Sequence, residues 1–146
     1  MIKLEDVNSK NWRTTLKVSE EQKDFVADKT VLLARAYAYR EYRSRAFFIL
    51  NDKTYVGMGL FYDSPERNAY IFSQLFIDEK FQGQRFGKTA AKLVLVLDEM
   101  KKEGKYKKVA LCYVEGATVA KKLYEDLGFS ETGRDEDEIE MELTFR

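Results

Sequence analysis

The sequence predicts an α/β fold on a mixed sheet, with elements in the order βααβββαβαββ. Three observations predict it. Segments rich in aromatic and β-branched residues share the chain with segments whose apolar residues recur at helical spacing. The pattern changes period midway, from hairpin-like strands before residue 80 to helix–strand alternation beyond residue 87. No linker, repeat or low-complexity stretch divides the 146 residues, so one domain over 1–146 is expected, long enough for one core.

Residues 2–7 read as a short strand. Ser19-Glu20-Glu21-Gln22 is a capping box: Ser19 accepts from the Gln22 amide while Gln22 reaches back, so a helix starts there. A second helical run covers 30–39, where Ala, Leu and Arg dominate. Residues 45–50 and 54–62 are aromatic and β-branched and flank Asn51-Asp52-Lys53, which makes a hairpin. Ser64-Pro65-Glu66-Arg67-Asn68, with the sole proline, is a second turn, and 70–78 is a third strand. Over 87–103 the apolar set Ala90, Ala91, Leu93, Val94, Leu97 and Met100 is helical, and Gly104 suits the C-terminal cap. Residues 108–114 form a strand, and 117–127 an amphipathic helix stopped by Gly128. Residues 129–132 and 138–145 are two closing strands, with Ile139, Met141, Leu143 and Phe145 on one face.

Composition narrows the chemistry. Hydrophobic residues are 45% and charged residues 34%, an ordinary globular balance. Lys plus Arg and Asp plus Glu are both 25, so net charge gives no drive toward nucleic acid or anionic membrane, and neither partner is expected. No stretch approaches the ~20 apolar residues that span a bilayer, and the opening residues lack the apolar core of a secretory signal. A cytoplasmic chain is expected. Cys112 is the one cysteine, which fits a reducing compartment; mid-strand, it is expected to be a buried small hydrophobe without chemistry. There is no histidine, so imidazole bases, histidine triads and histidine metal ligands are excluded, and no metal is expected.

The most informative stretch is Asp78-Glu79-Lys80-Phe81-Gln82-Gly83-Gln84-Arg85-Phe86-Gly87-Lys88, between a strand and a long helix. Free amides and the helix dipole favour an anion at such a junction. Gly83 and Gly87 let the backbone curl, and Arg85 and Lys88 add positive charge. A plain strand-to-helix turn with incidental glycines is the alternative.

This stretch resembles the phosphate loop of the GNAT superfamily of acetyl-CoA-dependent N-acetyltransferases, Q/R-x-x-G-x-G/A. Gln82 stands first and Gly87 last, and Arg85 replaces the usual middle glycine. Leu123-Tyr124-Glu125-Asp126-Leu127-Gly128-Phe129 resembles the family's LYExLGF segment, although Ala117 stands where an asparagine is common. Asn11-Trp12, Glu21-Gln22-Lys23, Phe25-Val26-Ala27 and the ending from Glu131 to Met141 are similar to bacterial spermine/spermidine acetyltransferases. The resemblance implies a mostly antiparallel central sheet flanked by helices, with a splayed parallel pair around the cofactor site. It also implies acetyl-CoA as cosubstrate, direct transfer in a ternary complex, and a homodimer. It assigns cofactor binding to Leu75, Phe76, Ile77, Gln82, Gly83, Gln84, Arg85, Phe86, Gly87 and Lys88, and a general-acid role to Tyr124.

Acetyl transfer needs a neutral amine, yet an alkyl ammonium of pKa about 10.4 is only about one part in a thousand neutral near pH 7.4, a handicap of roughly 4 kcal/mol. Many relatives place a glutamate on the strand before the loop. Here that strand reads Ile71-Phe72-Ser73-Gln74-Leu75-Phe76-Ile77, with no carboxylate before Asp78. Deprotonation through water toward a carboxylate elsewhere is expected. The expected acceptor is a polyamine, from the subgroup resemblance and the acids Glu131, Asp135, Glu136, Asp137, Glu138, Glu140 and Glu142. Strand alternation puts Glu138, Glu140 and Glu142 on one face, and Glu138 and Glu140 are the candidate substrate residues. Alternatives are another small amine, a protein amine, or a CoA-binding module without catalysis.

Overall fold

The computed structural model describes residues 1–20, 28–81 and 86–146. The elements are β1 (Ile2–Asp6), α1 (Lys29–Ala38), β2 (Arg45–Asn51), β3 (Thr54–Ser64), β4 (Ala69–Ile77), α2 (Phe86–Glu103), β5 (Lys108–Val114), α3 (Thr118–Asp126), β6 (Ser130–Asp135) and β7 (Glu138–Thr144). Single 3-10 turns occupy Arg40–Tyr42 and Glu79–Phe81. The strands form a mixed sheet in the order β1-β2-β3-β4-β5-β7-β6. The expected α/β class and mixed sheet are therefore present. The helix expected to start at the capping box lies on residues outside the description from 21 onward, but Ser19 Oγ, expected to accept a capping bond, is buried without a hydrogen-bond partner, so that bond is not made.

The chain forms two compact units. The first comprises Met1–Tyr62 and Ser73–Gln84, the second Asp63–Phe72 and Arg85–Arg146. In the first, β1 runs antiparallel to β2, Ile2 opposite Asn51 and Asp6 opposite Phe47. The β2–β3 hairpin turns at Asp52, whose φ of 57° is a conformation that aspartate tolerates. One face of these strands carries Phe48, Leu50, Met58, Leu60 and Phe76, all buried, and Leu32 of α1 and Leu16 close over it. Helix α1 starts because Asp28 accepts a hydrogen bond from the Val31 amide at 2.9 Å, an N-cap that the expected start at residue 30 passed over.

The second unit holds the parallel pair. Tyr70 of β4 lies opposite Val109 of β5, and Ile71 opposite Ala110. Strand β7 then pairs antiparallel with β5 from Thr144 opposite Lys108 to Glu138 opposite Val114. Strand β6 runs on to Asp135, beyond the expected end at 132, because its hairpin with β7 supplies partners up to Glu138. Helix α2 buries Leu93, Val96, Leu97 and Met100, four residues at helical spacing. Its end is capped by Gly104 at φ 72°, as expected, and by the fully buried Tyr70. The Tyr70 hydroxyl lies 2.8 Å from the Glu103 carboxylate and 3.1 Å from the Met100 carbonyl, and it accepts from the Lys105 amide. Burial, then the Glu103 bond, pushes its phenol pKa up.

Candidate active site

Leu75, Phe76 and Ile77 end β4 within the first unit; Phe76 and Ile77 are buried and Leu75 is half-buried. Two glycines of β3 face this stretch. A Cβ at Gly57 would strike the Phe76 carbonyl, and one at Gly59 would stand 2.9 Å from the Gln74 carbonyl. Side-chain-free positions on β3 thus let the backbone of this strand lie close.

Asp78, the first carboxylate after the strand, is buried and committed to structure. It accepts from the Lys17 amide at 2.8 Å and from the Lys80 amide at 2.9 Å, while its own amide bonds the Val56 carbonyl. It therefore anchors the turn into Glu79–Phe81 and offers no ready proton acceptor. Gln82, Gly83, Gln84 and Arg85 lie outside the described residues. Phe86, Gly87 and Lys88 open α2, and their side chains are likewise outside the description. The N-terminus of this eighteen-residue helix follows the loop directly, with the free first-turn amides that an anion would use.

Sequence reasoning missed a cation on this unit. Arg35 of α1 is half-buried, and its Nη1 donates to Ser73 Oγ at 3.3 Å and Gln74 Oε1 at 3.1 Å. Among the described residues no carboxylate pairs with it. The signal was present in the helix period. Arg35 stands three residues after Leu32 and one before Ala36, an arginine beside the apolar stripe of α1.

The second unit holds Tyr124, Glu138 and Glu140. The Leu-Tyr-Glu-Asp-Leu-Gly-Phe segment is a helix ending with a defined hydrogen-bond pattern. The Gly128 amide bonds the Glu125 carbonyl at 3.0 Å, and the Phe129 amide bonds the Tyr124 carbonyl at 3.0 Å. This is a Schellman ending, and Gly128 adopts the φ of 101° that the motif reserves for glycine. Its usual hydrophobic clasp is the Tyr124–Phe129 pair, edge-on at 5.9 Å between ring centres. The backbone and ring of Tyr124 are therefore locked by the same residues that spell the motif. Its ring also lies 6.3 Å from that of Tyr113 on β5. Burial pushes the Tyr124 phenol up to about 12, and its hydroxyl has no hydrogen-bond partner among the described residues. A phenol protonated at neutral pH, with no acceptor among the described residues, can give its proton to a ligand. The Tyr113 hydroxyl is buried, and it too has no hydrogen-bond partner among the described residues. Ala117 caps α3 without any side-chain bond.

The acids of β7 share a face, as alternation requires, but their neighbours differ. Glu140 and Glu142 receive Arg67 Nη2 at 2.7 and 3.2 Å, and Thr132 donates to Glu140 at 3.0 Å. Glu138, Asp135, Glu136 and Asp137, at and around the β6–β7 turn, are exposed with no side-chain partner among the described residues; Glu131 is exposed too, with Arg134 as an electrostatic neighbour. Cys112, opposite Glu140, is exposed rather than buried as expected, because that face of β5 looks outward beside the acids. Local desolvation and the charges of Glu138 and Glu140 push its thiol pKa up, so it is a poor nucleophile.

The described site residues that the sequence predicted divide by unit: Leu75, Phe76 and Ile77 in one, Tyr124, Glu138 and Glu140 in the other. No helix among the described residues is long and apolar enough to cross a membrane. The model of the acetyltransferase (GNAT) family matches residues 6–129. No curated protein matched the chain. Among solved structures, a spermidine N-acetyltransferase from Vibrio cholerae in complex with CoA and spermine superposes with a TM-score of 0.76 at 18% identity, over 98% of this chain and 95% of that one. A PaiA N-acetyltransferase from Thermoplasma acidophilum in complex with coenzyme A gives 0.70 at 17% identity, over 99% of both chains. An acetyltransferase from Salmonella typhimurium that modifies the N-terminal serine of ribosomal protein L7/L12 gives 0.71 at 12% identity, over 99% of this chain and 95% of that one. With 124 of its residues matched by the family model and the mixed sheet in place, this chain belongs to the acetyltransferase (GNAT) family and is an acetyl-CoA-dependent N-acetyltransferase.

Proposed function

We propose that the enzyme, as one N-acetyltransferase domain over 1–146, acetylates a primary amine of a polyamine such as spermidine or spermine by direct transfer. Acetyl-CoA supplies the activated thioester. The backbone of Leu75, Phe76 and Ile77 lines its pantetheine arm, and Gln82, Gly83, Gln84, Arg85, Phe86, Gly87 and Lys88 hold its phosphates at the start of α2. The acceptor nitrogen attacks the thioester carbonyl, the carbon–sulfur bond breaks, and Tyr124 gives its proton to the departing sulfur while the nitrogen's proton passes to water. At about 12, Tyr124 is a weak acid toward a thiolate, but a thiolate forming in the same dry surroundings is raised too, which narrows the gap.

The observation that carries the acceptor class is the run of exposed carboxylates Asp135, Glu136, Asp137 and Glu138, unpartnered among the described residues and in the same unit as Tyr124. Spaced acids hold the distal ammonium groups of a linear polycation, which a monoamine lacks. Glu138 is free for this; Glu140 takes part by exchanging Arg67 for an ammonium group. The likeness to a spermidine acetyltransferase supports the same class. A homodimer and a cytoplasmic location complete the reading.

The test measures thiol release with acetyl-CoA and a panel of amines. Glu138→Gln, alone and with Glu140→Gln, is expected to raise the KM for spermidine several-fold more than that for a monoamine, and to flatten its salt dependence. Equal losses for both, or no acetylation of spermidine by the wild type, would remove the polyamine while leaving the family's reaction intact.

A further inference from the structure

The reaction requires a neutral nitrogen, and the strand segment read as lying along the thioester supplies no carboxylate to make one. Strand β4 carries none from Ser73 to Ile77, and both oxygens of Asp78 are held by backbone amides. Arg35 does reach this strand, anchored to Ser73 and Gln74, one residue before Leu75.

We propose that Arg35 is a fixed positive charge that keeps the reacting nitrogen of the acceptor unprotonated beside the 75–77 segment. This rests on reading Leu75, Phe76 and Ile77 as the strand that lies along the thioester. Two neutral oxygens hold the Arg35 guanidinium in place without neutralising it. A neighbouring cation disfavours an ammonium and leaves a neutral amine untouched. The proton passes to water, so no protein base is needed. The distal ammonium groups are held elsewhere, by the acids of the proposed acceptor site.

Among the described residues, the other charged and titratable groups around α1 are engaged with other partners or exposed. On α1 and the turn after it, Lys29 donates to the Thr14 carbonyl, Arg40 lies 4.1 Å over the Tyr37 ring, and Glu41 is exposed. On β1 and β2, Arg45 pairs with Asp6. On β3, Tyr55 donates to Glu5 and Tyr62 stacks on Tyr39 at 4.2 Å.

The consequence has a kinetic signature that a packing role does not share. Repelling the bound ammonium removes a non-productive complex. It raises kcat and KM together and leaves kcat/KM, which reports the free amine, unchanged. The experiment compares pH profiles of the wild type, Arg35→Gln and Arg35→Lys with spermidine, after pre-steady-state traces confirm that chemistry limits turnover. Arg35→Gln is expected to move the ascending limb of kcat up by about one pH unit, the shift of one nearby like charge. At pH 7.4 it lowers kcat and KM each about tenfold, with kcat/KM within about twofold. Arg35→Lys keeps the wild-type limb. In the wild type, each member of a series of primary amines should show a kcat limb about one unit below its solution pKa, and Arg35→Met, a second neutral replacement, should shift that limb up by about one unit if Arg35→Gln fails to fold.

A fall in kcat/KM with an unmoved kcat limb, or a series in which the limbs coincide with the solution values, overturns the role of Arg35. Absence of transfer to every amine overturns the reading of the site itself, a different result.

Discussion

Replacing Tyr124 by phenylalanine removes one oxygen from a side chain whose position the Schellman ending and the Phe129 ring already determine. The helix ending survives, because its bonds are made by backbone. Turnover is expected to fall about ten- to a thousandfold, about 1.4–4 kcal/mol of barrier, with water as a partial substitute for the acid. Affinity for acetyl-CoA stays within about twofold. The same substitution has a stability signature with a definite sign. The phenol titrates near 12 in the folded chain and about 10 in the unfolded one. Below pH 10 both states hold the proton and the group is silent. Between pH 10 and 12 the unfolded state releases it first, so stability falls as pH rises, by about 1.4 kcal/mol at pH 11 and up to about 2.7 kcal/mol beyond pH 12. Tyr124→Phe lacks this loss. Urea unfolding of both proteins at pH 8 and pH 11 isolates it as the difference of differences, and single-turnover acetylation measures the chemical step. Unchanged single-turnover rates would remove Tyr124 from the reaction. A variant destabilised by well over 1 kcal/mol at pH 8 would show that the hydroxyl has a structural partner, contrary to its free state here.

Gly59→Ala would place a methyl group 2.5 and 2.8 Å from the Phe47 ring and 2.9 Å from the Gln74 carbonyl. Overpacking of this kind costs about 1–3 kcal/mol; calorimetry should find a Tm lower by about 3–10 °C, and a change under about 1 °C would mean that the strands separate freely. Tyr113→Phe deletes a buried hydroxyl without a partner among the described residues, so its unfolding free energy should be unchanged or about 1 kcal/mol higher. A loss of more than about 1 kcal/mol in urea would reveal a bond that this hydroxyl makes in solution.

What the sequence by itself determined was everything carried by local period and by short-range bonding. The spans of β5, α2 and α3 follow from apolar spacing and from Gly104 and Gly128, since a helix ends where the next residue must take positive φ. The Leu-Tyr-Glu-Asp-Leu-Gly-Phe segment was legible for the same reason: its bonds join residues at most five apart. The absence of a carboxylate on β4 was equally plain from composition. Tertiary structure decided which polar groups face each other across long separations. Asp78 is spent on the Lys17 amide 61 residues away, Arg67 occupies Glu140 from 73 residues away, and Arg35 meets Ser73 and Gln74 across 38 and 39. No pattern in the chain encodes such pairs, because they depend on which strand lies beside which helix once the apolar faces have packed. The acids of β7 show the division most clearly. Alternation alone places them on one face, whereas the fold decides that Glu140 is held by Arg67 while Glu138, two residues away, stands free.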